Sequence, residues 1–215
     1  MWTIYVPKFN EYLEAENITM DFRINAVSSA QIVFNDFLTL YSWSWLNNLF
    51  SIGDSIQIKS DNTVIFNGYI QQINSVKTQT GYQLQITLYD PLGRLTKMPY
   101  KGGFSGRLCD LLIQEICSFI NINNRITSDA IINIRYENEM TRYSLLVDAC
   151  ALARYQTDPI NFGFYYNHQL NALCTIDDAD GHALLQSLSN TNRISINQTY
   201  GYIISNVVQV TNFQG

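Results

Sequence analysis

The sequence predicts a mainly β chain with an α+β part: an N-terminal β-barrel followed by a small α+β domain. Three observations carry that expectation. Apolar and polar residues alternate over much of the first hundred positions. Three- and four-residue spacing takes over after Asp90-Pro91-Leu92-Gly93. A short hairpin pattern follows the second helical stretch. The expected division is a barrel at residues 1–97, an α+β domain with two helices and a hairpin at 98–190, and C-terminal strands at 191–215, whose return to a barrel is left open.

In "ITMDFRINA", Met20, Phe22, Ile24 and Ala26 face one way and Thr19, Asp21, Arg23 and Asn25 the other, the period of a half-buried strand. "SAQIVFND" and "FLTLYSW" continue the β signal. "GDSIQIKSDNTVIFNGYIQQIN" reads as a hairpin turning at Ser60-Asp61-Asn62, with Gly68 marking a bulge or bend in its second strand. "GYQLQITLYD" alternates from Tyr82 to Tyr89, and Gly81 is expected, like Gly68, to be a backbone-permissive position. Leu108, Leu111, Leu112, Ile116 and Phe119 then predict one apolar helix face, interrupted by Glu115. "AIINIRY" is a strand. "TRYSLLVDACALARY" is a helix capped by Thr141, with Leu145, Leu146, Ala149, Leu152 and Ala153 as its stripe. "FGFYYNHQLNALCTI" turns at Asn167-His168. "ALLQSL" reads as a short helical piece and "RISINQTYGYIISNVVQV" as strands.

Composition excludes several functions. Apolar residues make up 47% and charged residues 14% of the 215, so the chain can bury a core, and its polar surface rests on Asn, Gln, Ser and Thr. Such a surface suits contact with other protein. A net charge of −5 with scattered Lys and Arg argues against dedicated nucleic-acid binding and against an anionic membrane surface. Cys109, Cys117, Cys150 and Cys174 form no CxxC and read as buried free thiols of a protein made in a reducing cytosol. No signal peptide and no transmembrane span is expected.

"KGGFSGRL" (Lys101 to Leu108) invites a phosphate-binding reading and fails it. A P-loop needs Lys and a hydroxyl after its last glycine, whereas Lys101 comes first and Gly106 is followed by Arg107. Gly102, Gly103 and Gly106 are instead expected to form a tight turn, with Ser105 as the N-cap of the helix after it, and to act as the hinge between the two domains. "IDDADG" (Ile176 to Gly181) lacks the calcium-loop carboxylates, since Ile176 and Ser187 stand at positions one and twelve. His168 and His182 sit in no zinc or nucleophile motif. No catalytic, cofactor-binding or metal-binding residue is assigned.

The aromatic run "FLTLYSWSWLNNLF" supplies the interface candidates Trp43, Trp45, Leu46 and Phe50. Two readings stay open for it: a packed core and loop, or an apolar patch that meets another subunit.

"FSIGDSIQIKSDNTVIFNGYIQQI" followed by "LQITLYDPLGRLTK" resembles the N-terminal barrel of phage tail hub (baseplate hub) proteins, the late control protein D group among them. "ENEMTRYSLLVDACALARYQTDPINFGFYYNHQLNALCTI" is similar to the hub's middle region, and "SNVVQV" to the strand that begins its second barrel. Hubs usually continue beyond that point. The resemblance implies a structural virion protein of the tail tip or baseplate, or of a related contractile injection apparatus, assembled in the host cytoplasm. It implies self-association, a trimer favoured over a hexamer, in a ring that meets the tail tube protein, spike or distal tail proteins. DNA would pass through the lumen without specific binding, which the acidic balance suits. A distal tail adaptor ring and a carbohydrate- or receptor-binding module are the alternatives; a small hydrolase would need a nucleophile beside a histidine.

Overall fold

Asp61 and Asn62 both take positive φ, 48° and 68°, the geometry of a two-residue turn whose twist matches that of its strands. They join β5 (Ser55–Ser60) to β6 (Thr63–Thr78), where the sequence predicts a hairpin. The computed structural model describes residues 2–15, 17–35, 48–79, 81–157, 163–175, 194–199 and 205–213. It is mainly β with an α+β part.

The other strands of the large sheet are β1 (Trp2–Val6), β2 (Glu11–Leu13), β3 (Asn17–Arg23), β4 (Ser29–Asn35), β7 (Gly81–Tyr89), and, after the α+β elements, β13 (Ile194–Thr199) and β14 (Ser205–Phe213). Their order is β13-β14-β3-β4-β7-β6-β5-β1-β2, antiparallel throughout. Burial follows the alternation: Met20, Ile32, Phe34, Ile56, Ile58, Leu84, Ile86 and Leu88 lie in one core. β3 stops at Arg23, short of the predicted Ala26, because Asn25 turns into the left-handed region with φ 56°.

The sheet curls strongly. β3 and β6 are separated by β4 and β7, a flat span of about 14 Å at the usual strand spacing, yet the Phe22 and Phe66 ring centroids are 6.0 Å apart. Bulges aid the curl: the pairing slips by one residue at Ile65, between the Ile58–Phe66 and Lys59–Val64 pairs, and again at Gln71. The expected closed barrel is nonetheless an open sheet, since among the described residues no ladder joins β13 to β2. β2 has three residues, with Glu11 and Tyr12 exposed, and offers little edge to a closing strand. "SNVVQV" likewise begins no second barrel here. It pairs with β3 in the first sheet, Val208 opposite Phe22.

The α+β part has its own core. It contains α1 (Leu92–Leu95), β8 (Pro99–Leu108), α2 (Cys109–Ser118), β9 (Asn123–Asn124), β10 (Ile131–Thr141), α3 (Arg142–Thr157), β11 (Phe164–Asn167) and β12 (Ala172–Thr175). β8 and β10 form a two-stranded ribbon, and β11-β12-β9 a small sheet. Thr141 caps α3 as predicted: its Oγ1 accepts the Ser144 N–H at 3.0 Å. The buried face of α2 differs from the expected one. Cys109, Leu112, Ile113, Ile116 and Cys117 face inward, while Leu108, Leu111 and Phe119 are exposed. The helix carries two overlapping apolar stripes, and packing against α3 and β9 selects the one with the cysteines. All four cysteines are buried, and none of them is in a disulfide.

The glycine segment is neither a turn nor a helix cap. Gly102, Gly103 and Gly106 lie inside β8, and α2 begins after Leu108 with no side-chain cap. Ser105 and Gly106 bulge opposite Asn133, whose Oδ1 accepts the Gly106 N–H at 2.9 Å. Gly106, with φ 68°, suits that bulge. Gly103 is required for a different reason: a Cβ there would run into the Ile134 carbonyl oxygen and Arg135 Cα across the ribbon. We expect Gly103→Ala to cost about 1–3 kcal/mol and to speed amide exchange first in β8 and β10. Unchanged exchange in the ribbon would contradict the close approach.

Candidate functional site

The β11–β12 hairpin brings the α+β part onto the large sheet. Asn167 shapes its tip, its Oδ1 accepting the Gln169 and Leu170 N–H groups, both at 3.1 Å. The turn aims His168 at β6. There His168 Nδ1 lies 2.9 Å from the Asn67 N–H and 3.2 Å from the Asn67 carbonyl oxygen, and Nε2 is buried with no partner among the described residues. The ring stacks on Phe66 at 4.4 Å and meets Phe22 and Tyr166 edge-on at 5.3 and 4.7 Å. The Asn67 amide donates to the Tyr166 hydroxyl at 3.1 Å, and that hydroxyl donates to Asn171 Oδ1 at 2.7 Å. Burial lowers the His168 pKa to about 3.

Asn25, between β3 and β4, makes a second tie. Its N–H donates to the Phe164 carbonyl and its Oδ1 accepts the Phe164 N–H, both at 2.8 Å. Its own carbonyl accepts the Tyr143 hydroxyl of α3 at 3.1 Å. Asp90, at the end of β7, is fully buried beside this tie. Its Oδ2 accepts the Ser28 N–H at 2.8 Å, and its Oδ1 has no hydrogen-bond partner among the described residues. Burial raises the Asp90 pKa to about 7, against the pull of the surrounding N–H groups. Tyr143 is pushed up to about 12, by burial first and then by Asp90.

Two outward surfaces are rich in aromatic and cationic groups. At the β2 edge, Tyr5 and Tyr12 have ring centroids 4.7 Å apart. Lys59 Nζ lies 4.1 Å from the first ring and 5.3 Å from the second. Phe9 and Tyr12 are exposed beside them. On the α2 side, Arg142 sits 3.7 Å over the Phe119 ring, and Arg107 pairs with Glu115 at 2.6 Å. Among the described residues no group of three or more His, Cys, Asp or Glu side chains is placed to hold a metal ion, and no helix is long and apolar enough to cross a membrane.

The aromatic run divides. Trp43, Trp45 and Leu46 lie outside the described residues, as do His182 and the acidic stretch at 176–181. Phe50 is a core residue, 5% exposed, stacked on Phe34 at 5.8 Å, and is not available as an interface residue. Gly68 sits in β6 where a Cβ would lie 2.6 Å from the Tyr89 carbonyl oxygen, and Gly81 follows the β6–β7 turn with φ 149°. The residues that tie the two cores together, Asn25, Asn67, Asp90, Tyr166 and His168, carry no motif. Asp90-Pro91 before a helix is a turn signal in the sequence, but nothing there marks the carboxyl as buried.

Comparison with known proteins finds no matching family model and no matching curated protein. Solved structures do match. A 43 kDa tail protein of prophage MuSo2 from Shewanella oneidensis aligns with a TM-score of 0.62 at 10% identity, covering 80% of this chain and 53% of that one. A tail protein from Neisseria meningitidis MC58 aligns at 0.60 and 12% identity, covering 92% and 59%. An Escherichia coli protein, c3393, described as a type VI secretion component with structural similarity to the T4 phage tail proteins gp27 and gp5, aligns at 0.51 and 9% identity, covering 92% and 56%. The chain therefore has the fold of these tail proteins and spans little more than half of their length.

Proposed function

We propose that this chain is a structural component of a phage tail tip or baseplate, or of a related contractile injection apparatus, and that it acts as a hub. The observation that carries this reading is the likeness of fold to two tail proteins, one of them of a prophage, over 80% and 92% of the chain. In this reading the work is geometric. Copies of the large sheet stand side by side in a closed ring, three by resemblance to hubs and six as the alternative. The α+β parts face a spike or distal tail protein, and the ring adjoins the tail tube. Low charge content, 14% of residues, supports surfaces that meet other protein. The net charge of −5 supports a lumen through which DNA slides without sticking. The division at residues 1–97, 98–190 and 191–215 belongs to the same proposal; the two cores support two units, with Leu92 and Leu95 packed in the second and β14 paired in the first sheet. No catalytic step is assigned.

Light scattering on the purified chain tests the ring. A closed oligomer of three or six copies is the expected result, and a monomer at high concentration with affinity for sugars would favour a receptor-binding module instead. Replacing both Trp43 and Trp45 by serine should lower the oligomer mass if the aromatic run is its contact. An unchanged mass from a well-folded variant rejects that run as the interface.

A further inference from the structure

We propose that His168 and Asp90 are opposed proton switches on the seam between the two cores: acid drives the seam apart through His168, rising pH drives it apart through Asp90, and together they hold its cohesion nearly level.

Both groups are buried where the two cores meet. His168 belongs to the α+β part but spends its ring on the large sheet, between Phe22 of β3 and Phe66 of β6, with Nδ1 on the Asn67 N–H. Around it Tyr166 is the titratable neighbour, and burial keeps that hydroxyl protonated. Among the described residues no carboxylate or cation contributes to the His168 environment. A protonated ring carries N–H on both nitrogens, so Nδ1 could no longer accept the Asn67 N–H, and Nε2 has no acceptor among the described residues. Asp90 belongs to the end of the large sheet. Ser28, on the approach to β4, meets it from the sheet, and the first turn of α1 meets it from the α+β part, whose Tyr143 and Tyr166 hydroxyls, both uncharged, feel its charge. A charged Asp90 would leave Oδ1 buried without a donor.

The signs follow from linkage. Once exposed, a histidine takes a proton below its ordinary value of about 6.5. In the closed seam His168 stays neutral down to about 3. Opening through this group is therefore favoured as pH falls across that window. Asp90 keeps its proton in the closed seam up to about 7 and loses it once exposed, above the usual 3.8. Opening through this group is favoured as pH rises across that window. The two windows overlap between about 4 and 6.5, with opposite slopes.

Hydrogen exchange at the Asn25 and Phe164 amides, corrected for intrinsic rate, reads the opening, because each is bonded across the seam to the other residue and neither bond involves His168 or Asp90. In the wild type the opening constant should change by less than about threefold between pH 4.5 and 6.5, while in Asp90→Asn it should rise about tenfold for each unit of acidification. In His168→Phe, which keeps a ring but cannot titrate, it should rise by a similar factor with increasing pH. Parallel profiles in all three proteins would overturn the proposal. The wild type alone gives a second test: carbon NMR should show His168 neutral at pH 4.5 and the Asp90 carboxyl titrating near neutrality, and ordinary titration of both groups would equally overturn it. Both groups lie within one chain, so these measurements read the seam whatever the chain assembles into.

Discussion

Phe66→Ala should lower stability by about 3–5 kcal/mol, the cost of a large cavity in a close-packed core. Phe66 is fully buried and stands where the two cores meet, against Phe22 on one side and His168 on the other. Its loss therefore removes packing from the large sheet and the platform on which the hairpin tip rests. The midpoint of urea unfolding reads the first effect. Exchange in β11 and β12 reads the second, and should increase beyond what the global loss accounts for. Phe34→Ala is the comparison: that ring is equally buried and stacks on Phe50, away from the hairpin. It should cost a similar amount while the hairpin amides follow global unfolding only. A loss below about 1 kcal/mol in Phe66→Ala would mean that the core is not packed around this ring.

Gly68→Val should be worse tolerated than most core changes. A Cβ at Gly68 would lie 2.6 Å from the Tyr89 carbonyl oxygen and 2.7 Å from Phe66 Cε1. One obstacle is backbone of the neighbouring strand; the other is the ring on which the seam depends. Neither gives way without opening the β6–β7 ladder or displacing Phe66. Overpacking costs about 1–3 kcal/mol, occasionally more, and a β-branched side chain takes the upper end. Gly68→Ala, which adds the Cβ alone, should fall lower in the same range. Thermal unfolding of the two variants gives the ranking, and a valine variant as stable as the wild type would show that β6 and β7 can part here.

Neighbouring residues carried much of the fold. The alternation of Leu84, Ile86 and Leu88 is the burial pattern of β7, and Asp61-Asn62 is the β5–β6 turn. Thr141 caps the second long helix, and the hairpin turns at Asn167-His168. Each is decided within a few residues, by side-chain period, turn chemistry or a capping oxygen. The glycine segment misled for the same reason: locally, three glycines before an apolar run describe a turn and a helix start. Gly103 is there because a strand distant in sequence approaches too closely for any side chain.

The candidate site was the least legible part. Of the aromatic residues singled out, Phe50 is core, and the seam is built from residues with no spacing in common. His168 sits 101 positions from Asn67, and Phe164 lies 139 from Asn25. A lone histidine at a hairpin tip reads as exposed until the surface it meets is known.

The sequence by itself determined β3 to β7, β10, the β11–β12 hairpin, the C-terminal strands and the two long helices, because period and turn chemistry act over a few residues; β8 it read as a turn. The tertiary structure alone decided the rest: that β14 lies beside β3, that the sheet stays open, that α2 buries its cysteine stripe, and that His168 and Asp90 lose their water. Those outcomes depend on which distant surfaces meet, and desolvation belongs to the pair of surfaces in contact, not to either segment.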